Sequence, residues 1–184
     1  MKARTQATIE DLYKVEGKAE LVNGEIVTMS PTGKSPARAS LSVVVSLKNY
    51  EKQIGTGQAY PDNTGFVVDL PHRKSFSPDA SFVIDDPTTE VDLRYAQGAP
   101  TFAVEIRSEN DYGPAAERRM AAKRADYFAA GTQVVWDVDL LSDDVVRVYR
   151  ADNPTEPTVY RRGQQAEAEP ALPGWRMPVD DLFR

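Results

Sequence analysis

Thr101-Phe102-Ala103-Val104-Glu105-Ile106-Arg107 is the stretch of sequence that decides the fold of this chain. Because successive side chains of a β-strand point to opposite faces, the apolar residues at positions 102, 104 and 106 share one face. Glu105 lies on the other face, together with Arg107. The stretch therefore predicts a buried strand that carries a carboxylate where its surroundings are otherwise apolar.

The residues that follow predict a strand–helix–strand unit over residues 101–138. Pro114 suits the first turn of a helix that runs to Ala130 and is stopped by Gly131. Val134–Val138 is then a strongly apolar strand. Two strands joined through a helix usually form a parallel pair with a right-handed crossover, so we expect a parallel element in the sheet.

The rest of the chain predicts two more helices and several antiparallel strands. Asn23-Gly24 fits a type I′ turn and predicts a hairpin over residues 20–27. One helix is expected from Thr8 to about Glu16, and another from Pro36 to Ile54, where Gly55 ends it. Further strands are predicted at residues 58–60, 65–70, 77–84, 145–149 and 158–160, the last two at sheet edges, with an irregular connection at 85–98.

This order of elements predicts an α/β (α+β) fold with a mixed central β-sheet and helices on both faces. The chain of 184 residues suits one domain, residues 1–184, with a sizeable core. It has no signal-peptide-like N-terminus and no apolar run long enough to span a bilayer, so we expect a cytoplasmic protein without a membrane partner.

Composition excludes several kinds of active site. There is no cysteine, and His72 is the only histidine, which rules out thiolate and multi-histidine zinc sites. A Ser-His-Asp triad would depend on His72, which lies in a predicted turn without a nucleophile elbow nearby. The net charge of −6 argues against a protein that coats nucleic acid, so any nucleic acid must bind in a local groove.

Two acids interrupt otherwise apolar strands and are the main candidates for chemistry. Asp79 follows Ser77-Pro78 at the start of one strand, and Glu105 lies near the end of another. A buried carboxylate costs free energy unless a positive group meets it. Two explanations fit the pattern: a structural ion pair, or a hard divalent metal ion bound by carboxylate oxygens.

Further polar residues fall near this pair in the predicted fold. Arg119, Lys123 and Tyr127 recur at intervals of four on the helix that follows Glu105 and share one face. Glu20 lies on the early hairpin strand. Tyr127 is expected to be a core residue, and Asp137 and Asp139 are interpreted as a solvated strand end.

The order and spacing of these pieces carry a resemblance that covers nearly the whole chain. They are Glu20-Leu21-Val22-Asn23-Gly24-Glu25-Ile26 with Met29-Ser30-Pro31, then Ser77-Pro78-Asp79, Phe102–Ser108, Lys123, Tyr127, Ala130-Gly131 and Val135–Asp139. The chain resembles the PD-(D/E)XK nuclease superfamily with its restriction endonuclease-like fold, and more closely the bacterial Uma-type family of restriction endonucleases.

The resemblance implies a set of roles for these residues. Asp79 and Glu105 are the two metal carboxylates, the backbone carbonyl of Ile106 adds a neutral oxygen, and Glu20 lies at the rim of the site. The superfamily normally has a lysine two residues after the Glu, where this chain has Arg107. In the Uma-type family a lysine on the following helix replaces it, and Lys123 matches that position.

The implied activity is cleavage of phosphodiester bonds in DNA with Mg²⁺ or Mn²⁺ as cofactor. The metal polarises the phosphate and activates a water molecule. Lys123 orients that water or helps to deprotonate it, if the neighbouring carboxylates do not raise its pKa too far. Arg107 stays protonated and can only offset phosphate charge. Symmetric cutting of a duplex needs two sites, which predicts a homodimer.

Three other interpretations remain open at this point. The first is a domain of the same fold with little or no activity that binds nucleic acid or protein, which Arg107 and the acidic net charge favour. The second is a buried ion network in which Glu105 and Arg107 pair with Lys123 and Asp79. The third is a glycosidase that uses Asp79 and Glu105 as its acid and base.

Overall fold

The computed structural model describes residues 6–86 and 91–184. Its helices lie before, between and after the strands of one large sheet. They are α1 (Ile9–Leu12), α2 (Lys34–Ile54), α3 (Pro114–Ala129) and a closing 3₁₀ helix (Val179–Phe183). None of the described helices is both long and apolar enough to cross a membrane.

Thirteen short strands are present in the described residues. Six form the central sheet, and the others form three small sheets beside it. In chain order they are β1 (Ala19–Val22), β2 (Glu25–Thr28), β3 (Gln58–Pro61), β4 (Phe66–Val67), β5 (Ser75–Phe76), β6 (Ala80–Val83), β7 (Ala96–Gln97), β8 (Phe102–Ile106), β9 (Val134–Val138), β10 (Val146–Arg150), β11 (Asn153–Tyr160), β12 (Gln165–Glu167) and β13 (Arg176–Pro178).

The central sheet has the order β11-β10-β9-β8-β6-β3. Strands β8 and β9 run parallel, with Glu105 opposite Asp137, and the other neighbours are antiparallel. The predicted mixed sheet and its parallel pair are therefore confirmed. The helix between the two parallel strands begins at Pro114, as predicted, because proline has no N–H to lose at the first helical turn.

The two faces of β8 separate as the alternation predicts. Phe102, Val104 and Ile106 face the larger core, which α2 covers, while Ala103 packs with Tyr127 of α3 on the other side. Phe102 is fully buried and contacts Trp136 at 5.4 Å between ring centroids. Helices thus lie on both faces of the sheet, and Glu105 points to the α3 side.

The hairpin β1–β2 forms a separate two-stranded sheet whose turn has the predicted chemistry. Asn23 and Gly24 both have positive φ angles, 53° and 72°, as a type I′ turn requires. The backbone N–H of Leu21 donates to the Ser75 hydroxyl at 2.8 Å, and Asn23 N–H donates to the His72 carbonyl at 2.6 Å. These contacts hold the hairpin against the loop that precedes Asp79.

Several predicted boundaries are wrong. The first helix ends at Leu12 rather than Glu16, and the strand predicted at 65–70 is limited to β4. Strand β6 begins at Ala80, so Asp79 lies just before it. Strand β10 lies inside the sheet between β9 and β11, not at an edge. Part of the predicted connection at 85–98 falls on residues 87–90, outside the described residues.

Candidate active site

Asp79 and Glu105 lie next to each other at one end of the central sheet. The antiparallel register of β6 and β8 pairs Ala80 with Val104, and the Asp79 N–H donates to the Val104 carbonyl at 3.0 Å. Asp79 Oδ2 accepts a hydrogen bond from the Ile106 N–H at 2.7 Å. The backbone therefore fixes the Asp79 carboxylate beside Glu105, as the strand order predicts.

Both carboxylates line a cleft of about 860 Å³. Their side chains are mostly buried, with 14% of Asp79 and 24% of Glu105 exposed. Ile106 also lines the cleft, as do basic side chains from the hairpin, α2 and α3. These basic residues are Lys18, Lys34, Arg119, Lys123 and Arg124. The cleft thus combines a pair of acids at its base with cations around it.

Lys123 projects from α3 onto the acids, as the spacing on the helix predicts. Its ammonium lies 2.8 Å from Glu105 Oε1 and 2.8 Å from Glu20 Oε1. Burial by itself would lower the pKa of Lys123, but the negative charges of Glu105 and Glu20 outweigh burial and raise it. In this arrangement Lys123 is a fixed cation that donates hydrogen bonds.

Glu105 also accepts a hydrogen bond from the Tyr127 hydroxyl, at 2.6 Å. Burial raises the pKa of the Glu105 carboxyl, and the charges of Asp79 and Glu20 raise it further, although Lys123 opposes them. Tyr127 is fully buried and stacks on Phe76, as expected of a core residue. Its hydroxyl nevertheless belongs to the site, because it sets the orientation of Glu105.

Glu20 is not at the rim of the site, where the resemblance implies it, but buried beneath it, with 4% of its surface exposed. Its oxygens accept hydrogen bonds from the Ser77 N–H at 2.9 Å and from Arg73 at 2.6 Å. Burial by itself would raise the pKa of the Glu20 carboxyl, but the positive charges of Lys123 and Arg73 outweigh burial and lower it. Glu20 therefore acts as the counter-charge that holds Lys123.

The sequence did not place two further cations, Arg73 and Lys18, in this cluster of acids. Arg73 bridges Glu20 and Asp126, with Nε 2.7 Å from Asp126 Oδ2. Lys18 lies 2.6 Å from Asp79 Oδ1 and 2.7 Å from Asp62 Oδ1. Lys18 lies at a bend just before β1, so no strand or helix pattern in the sequence placed its side chain in the site.

Arg107 lines the same cleft, but its guanidinium is held by other acids. Two of its nitrogens lie 2.8 Å from the two oxygens of Asp137, and a third contacts Glu117. The hydrogen bonds that Arg107 donates to Asp137 raise the pKa of Arg107, against a smaller opposing effect of burial. Of the alternative ion network, the pair of Glu105 with Lys123 is present, but Arg107 does not pair with Asp79, which pairs with Lys18 instead.

The interpretation of Asp137 and Asp139 as a solvated strand end is also wrong. Only 1% of Asp137 and 6% of Asp139 is exposed. Asp139 accepts a hydrogen bond from the Tyr112 hydroxyl at 2.9 Å. These two acids form a second ion network with Arg107, which is structural in character because buried charges require partners.

The donor set suits a hard divalent cation. Asp79 and Glu105 offer carboxylate oxygens, and no thiolate or imidazole lines the cleft to favour a softer metal. Among residues 6–86 and 91–184, no group of three or more acidic or histidine side chains could hold a metal. A site with two carboxylates fits Mg²⁺, which usually keeps water and phosphate oxygens as its other ligands.

The mixed sheet, the helices on both faces and the acids at the strand ends define a domain of the restriction endonuclease-like class. The family model Uma2, described as "Putative restriction endonuclease", matches residues 7–180, so the chain belongs to this family. The solved structures include a "putative nuclease belonging to DUF820" from Anabaena variabilis, with a TM-score of 0.73 and 18% identity. The match covers 96% of this chain and 97% of that one. No curated protein matches the chain.

Proposed function

We propose that the chain is a Mg²⁺-dependent endonuclease, with Mn²⁺ as an alternative metal, that hydrolyses phosphodiester bonds in DNA. The observation that carries the proposal is the pair Asp79 and Glu105, fixed side by side in a cleft with a buried lysine against Glu105. The descriptions of the Uma2 family and of the structural neighbour support the coarser assignment to a nuclease.

In this proposal Asp79 and Glu105 hold the metal, with the Ile106 carbonyl as a third oxygen. When bound, the metal supplies positive charge to the phosphate and activates the attacking water. The Ile106 N–H fixes one oxygen of Asp79, and Tyr127 fixes Glu105, so both acids are oriented before any substrate arrives. Such preorganisation is a large part of the catalytic power of active sites.

Lys123 serves as a donor in this mechanism rather than as a proton acceptor. Its pKa is raised by Glu105 and Glu20 against the effect of burial, so it carries a proton at neutral pH. It orients the attacking water and stabilises negative charge on the phosphate. The oxygen of the water forms a bond to phosphorus while the bond from phosphorus to the leaving oxygen breaks; the attacking water gives up a proton to solvent, and the leaving oxygen takes one from solvent. The family resemblance implies a 5′-phosphate product.

A plasmid-cleavage assay tests the proposal. Wild-type protein with Mg²⁺ or Mn²⁺ should nick or linearise plasmid DNA, whereas Ca²⁺ or a chelator should give no product. The variant Asp79→Ala should lose at least about 100-fold in rate, because it removes a metal ligand. Asp69→Ala is the matched control, since the Asp69 side chain is 95% exposed and pairs only with Lys74 among the contacts described.

Equal cutting by wild type and by Asp79→Ala contradicts the proposed role of the cleft. Sedimentation of the active protein tests the expected homodimer.

The second candidate function is a nucleic-acid-binding or protein-binding domain without turnover. One observation favours it: Lys18 and Lys123 already neutralise the acids, and Arg107 is held by Asp137. DNA binding without cleavage under any of these metals would establish this alternative.

A further inference from the structure

Lys18 occupies a position in the cleft that neither the sequence motifs nor the family description assign. It precedes β1, and its ammonium lies between two acids, Asp79 and Asp62. Only 13% of the Lys18 side chain is exposed. Asp62 is more accessible, with 36% of its side chain exposed, and it lies directly after β3. The ammonium thus contacts one mostly buried acid, Asp79, and one more accessible acid, Asp62.

The two oxygens of Asp79 have different surroundings. Oδ2 is bound to the Ile106 N–H at 2.7 Å and is tied to the sheet. Oδ1 is covered by Lys18 at 2.6 Å. A cation that binds Asp79 through Oδ1 therefore competes with the ammonium of Lys18 for that oxygen.

The geometry of Lys18 allows that displacement without a change of backbone. Its carbonyl accepts a hydrogen bond from the Met29 N–H at 2.9 Å, which fixes the main chain. The four-carbon side chain is flexible and ends in a compact charge that can form new contacts. Asp62 also holds the ammonium, at 2.7 Å, so Lys18 keeps one acidic partner when it is released from Asp79.

We propose that Lys18 is a second cation of the active site that competes with the metal for Asp79 and then binds the phosphate of the nucleic acid. This inference rests on the proposed function. Lys18 covers Asp79 Oδ1 until a divalent cation binds there, and then contacts a non-bridging phosphate oxygen. Asp62 is the positioning residue that keeps Lys18 in the cleft. Arg107 is not free for this task, because Asp137 and Glu117 hold it.

Two effects of opposite sign are expected in Lys18→Met. Affinity for Mg²⁺ alone, measured by titration calorimetry without DNA, should rise about tenfold, because the metal no longer displaces a charge-assisted partner. Cleavage at saturating metal should fall about 100-fold, because a donor to the phosphate is lost. If Lys18 only supported the fold, its replacement would lower both the Mg²⁺ affinity and the cleavage rate, or change neither.

Two further variants separate this exchange from a general effect of charge. Arg119→Gln removes the same charge from the same cleft without touching Asp79, so Mg²⁺ affinity should change less than threefold. Asp62→Asn keeps Lys18 but removes its second partner. It should reduce cleavage several-fold without any rise in Mg²⁺ affinity, because Lys18 still covers Asp79.

The outcomes distinguish this inference from the proposed function. Wild-type protein that neither binds Mg²⁺ or Mn²⁺ nor cuts DNA refutes both. Wild type that binds metal and cuts, together with unchanged or weaker Mg²⁺ affinity in Lys18→Met, refutes only the role of Lys18. An equal rise in Mg²⁺ affinity in Arg119→Gln and in Lys18→Met also refutes only the role of Lys18. If Lys18→Met does not fold by circular dichroism, Lys18→Gln and Asp62→Asn provide the same comparison.

Discussion

Replacing Lys123 by methionine should destabilise the protein strongly and in a pH-dependent way. The Lys123 side chain is 18% exposed, and its ammonium lies 2.8 Å from both Glu20 and Glu105. Removing one partner of a buried ion pair costs about 3–5 kcal/mol, because the remaining charge loses its compensation. Glu20 keeps Arg73 at 2.6 Å, so the uncompensated charge is mainly that of Glu105. We expect a loss of about 3 kcal/mol at pH 7.5.

The loss should shrink as the pH falls. Burial already raises the pKa of Glu105, and Asp79 and Glu20 raise it further, whereas Lys123 opposes the shift. Without Lys123 the folded-state pKa rises again. A carboxyl with a raised folded-state pKa loses stability as the pH rises from its unfolded value to its folded value. The slope is at most about 1.4 kcal/mol per pH unit, so part of the loss should be recovered at pH 5.5.

Urea denaturation in the presence of a chelator measures both effects. The fluorescence of Trp136 and Trp175, which are buried together with ring centroids 5.1 Å apart, reports unfolding. Thermal midpoints should fall by about 6–12 °C at pH 7.5, given about 2–4 °C per kcal/mol in a chain of this size. Lys48→Met is the matched control, because Lys48 pairs with Glu51 on the exposed side of α2. A loss below about 1 kcal/mol, or an equal loss at both pH values, refutes the reasoning.

Two further predictions concern neighbours of the site. Arg107→Met should destabilise the protein by about 2–4 kcal/mol, because Asp137 and Glu117 lose their main partner. Its affinity for Mg²⁺, measured by calorimetry, should nevertheless stay within about threefold of wild type. A large loss of metal affinity contradicts the assignment of Arg107 to the second network. Tyr127→Phe removes the hydroxyl that donates a hydrogen bond to Glu105 at 2.6 Å, and it should lower the stability measured by urea denaturation by about 1–2 kcal/mol. The pKa of Glu105, followed by NMR titration, should rise further. An unchanged titration would show that the hydroxyl does not hold Glu105.

Much of the fold could be predicted because local rules determine it. The turn at Asn23-Gly24, the helix start at Pro114 and the helix end at Gly55 each depend on the backbone preferences of one or two residues. The alternation of side chains along β8 predicted which face of this strand, the one with Glu105, meets α3. Boundaries such as the start of β6 were less accurate, because they depend on which neighbouring strand supplies hydrogen bonds.

The site was predictable only where its residues lie on neighbouring elements. Asp79 and Glu105 meet because their strands are adjacent, and Lys123 follows on the connecting helix. Lys18 and Arg73 belong to loops that reach the site through the docking of the hairpin, and they meet acids more than 50 positions away in the chain. No local pattern contains such contacts, so the sequence reasoning missed both residues.

The balance of charge at the base of the cleft explains how three acids can lie close together in a largely buried place. Asp79, Glu105 and Glu20 are matched by Lys18, Lys123 and Arg73, each within 2.8 Å of at least one of them. Lys18 and Arg73 also contact Asp62 and Asp126, but Asp79 and Glu105 each already have an ammonium partner, so a divalent cation brings surplus positive charge to that pair. A phosphate offsets that charge and gives Lys18 a new partner. In the proposed nuclease, metal and nucleic acid should therefore bind cooperatively, because each supplies the charge that the other needs.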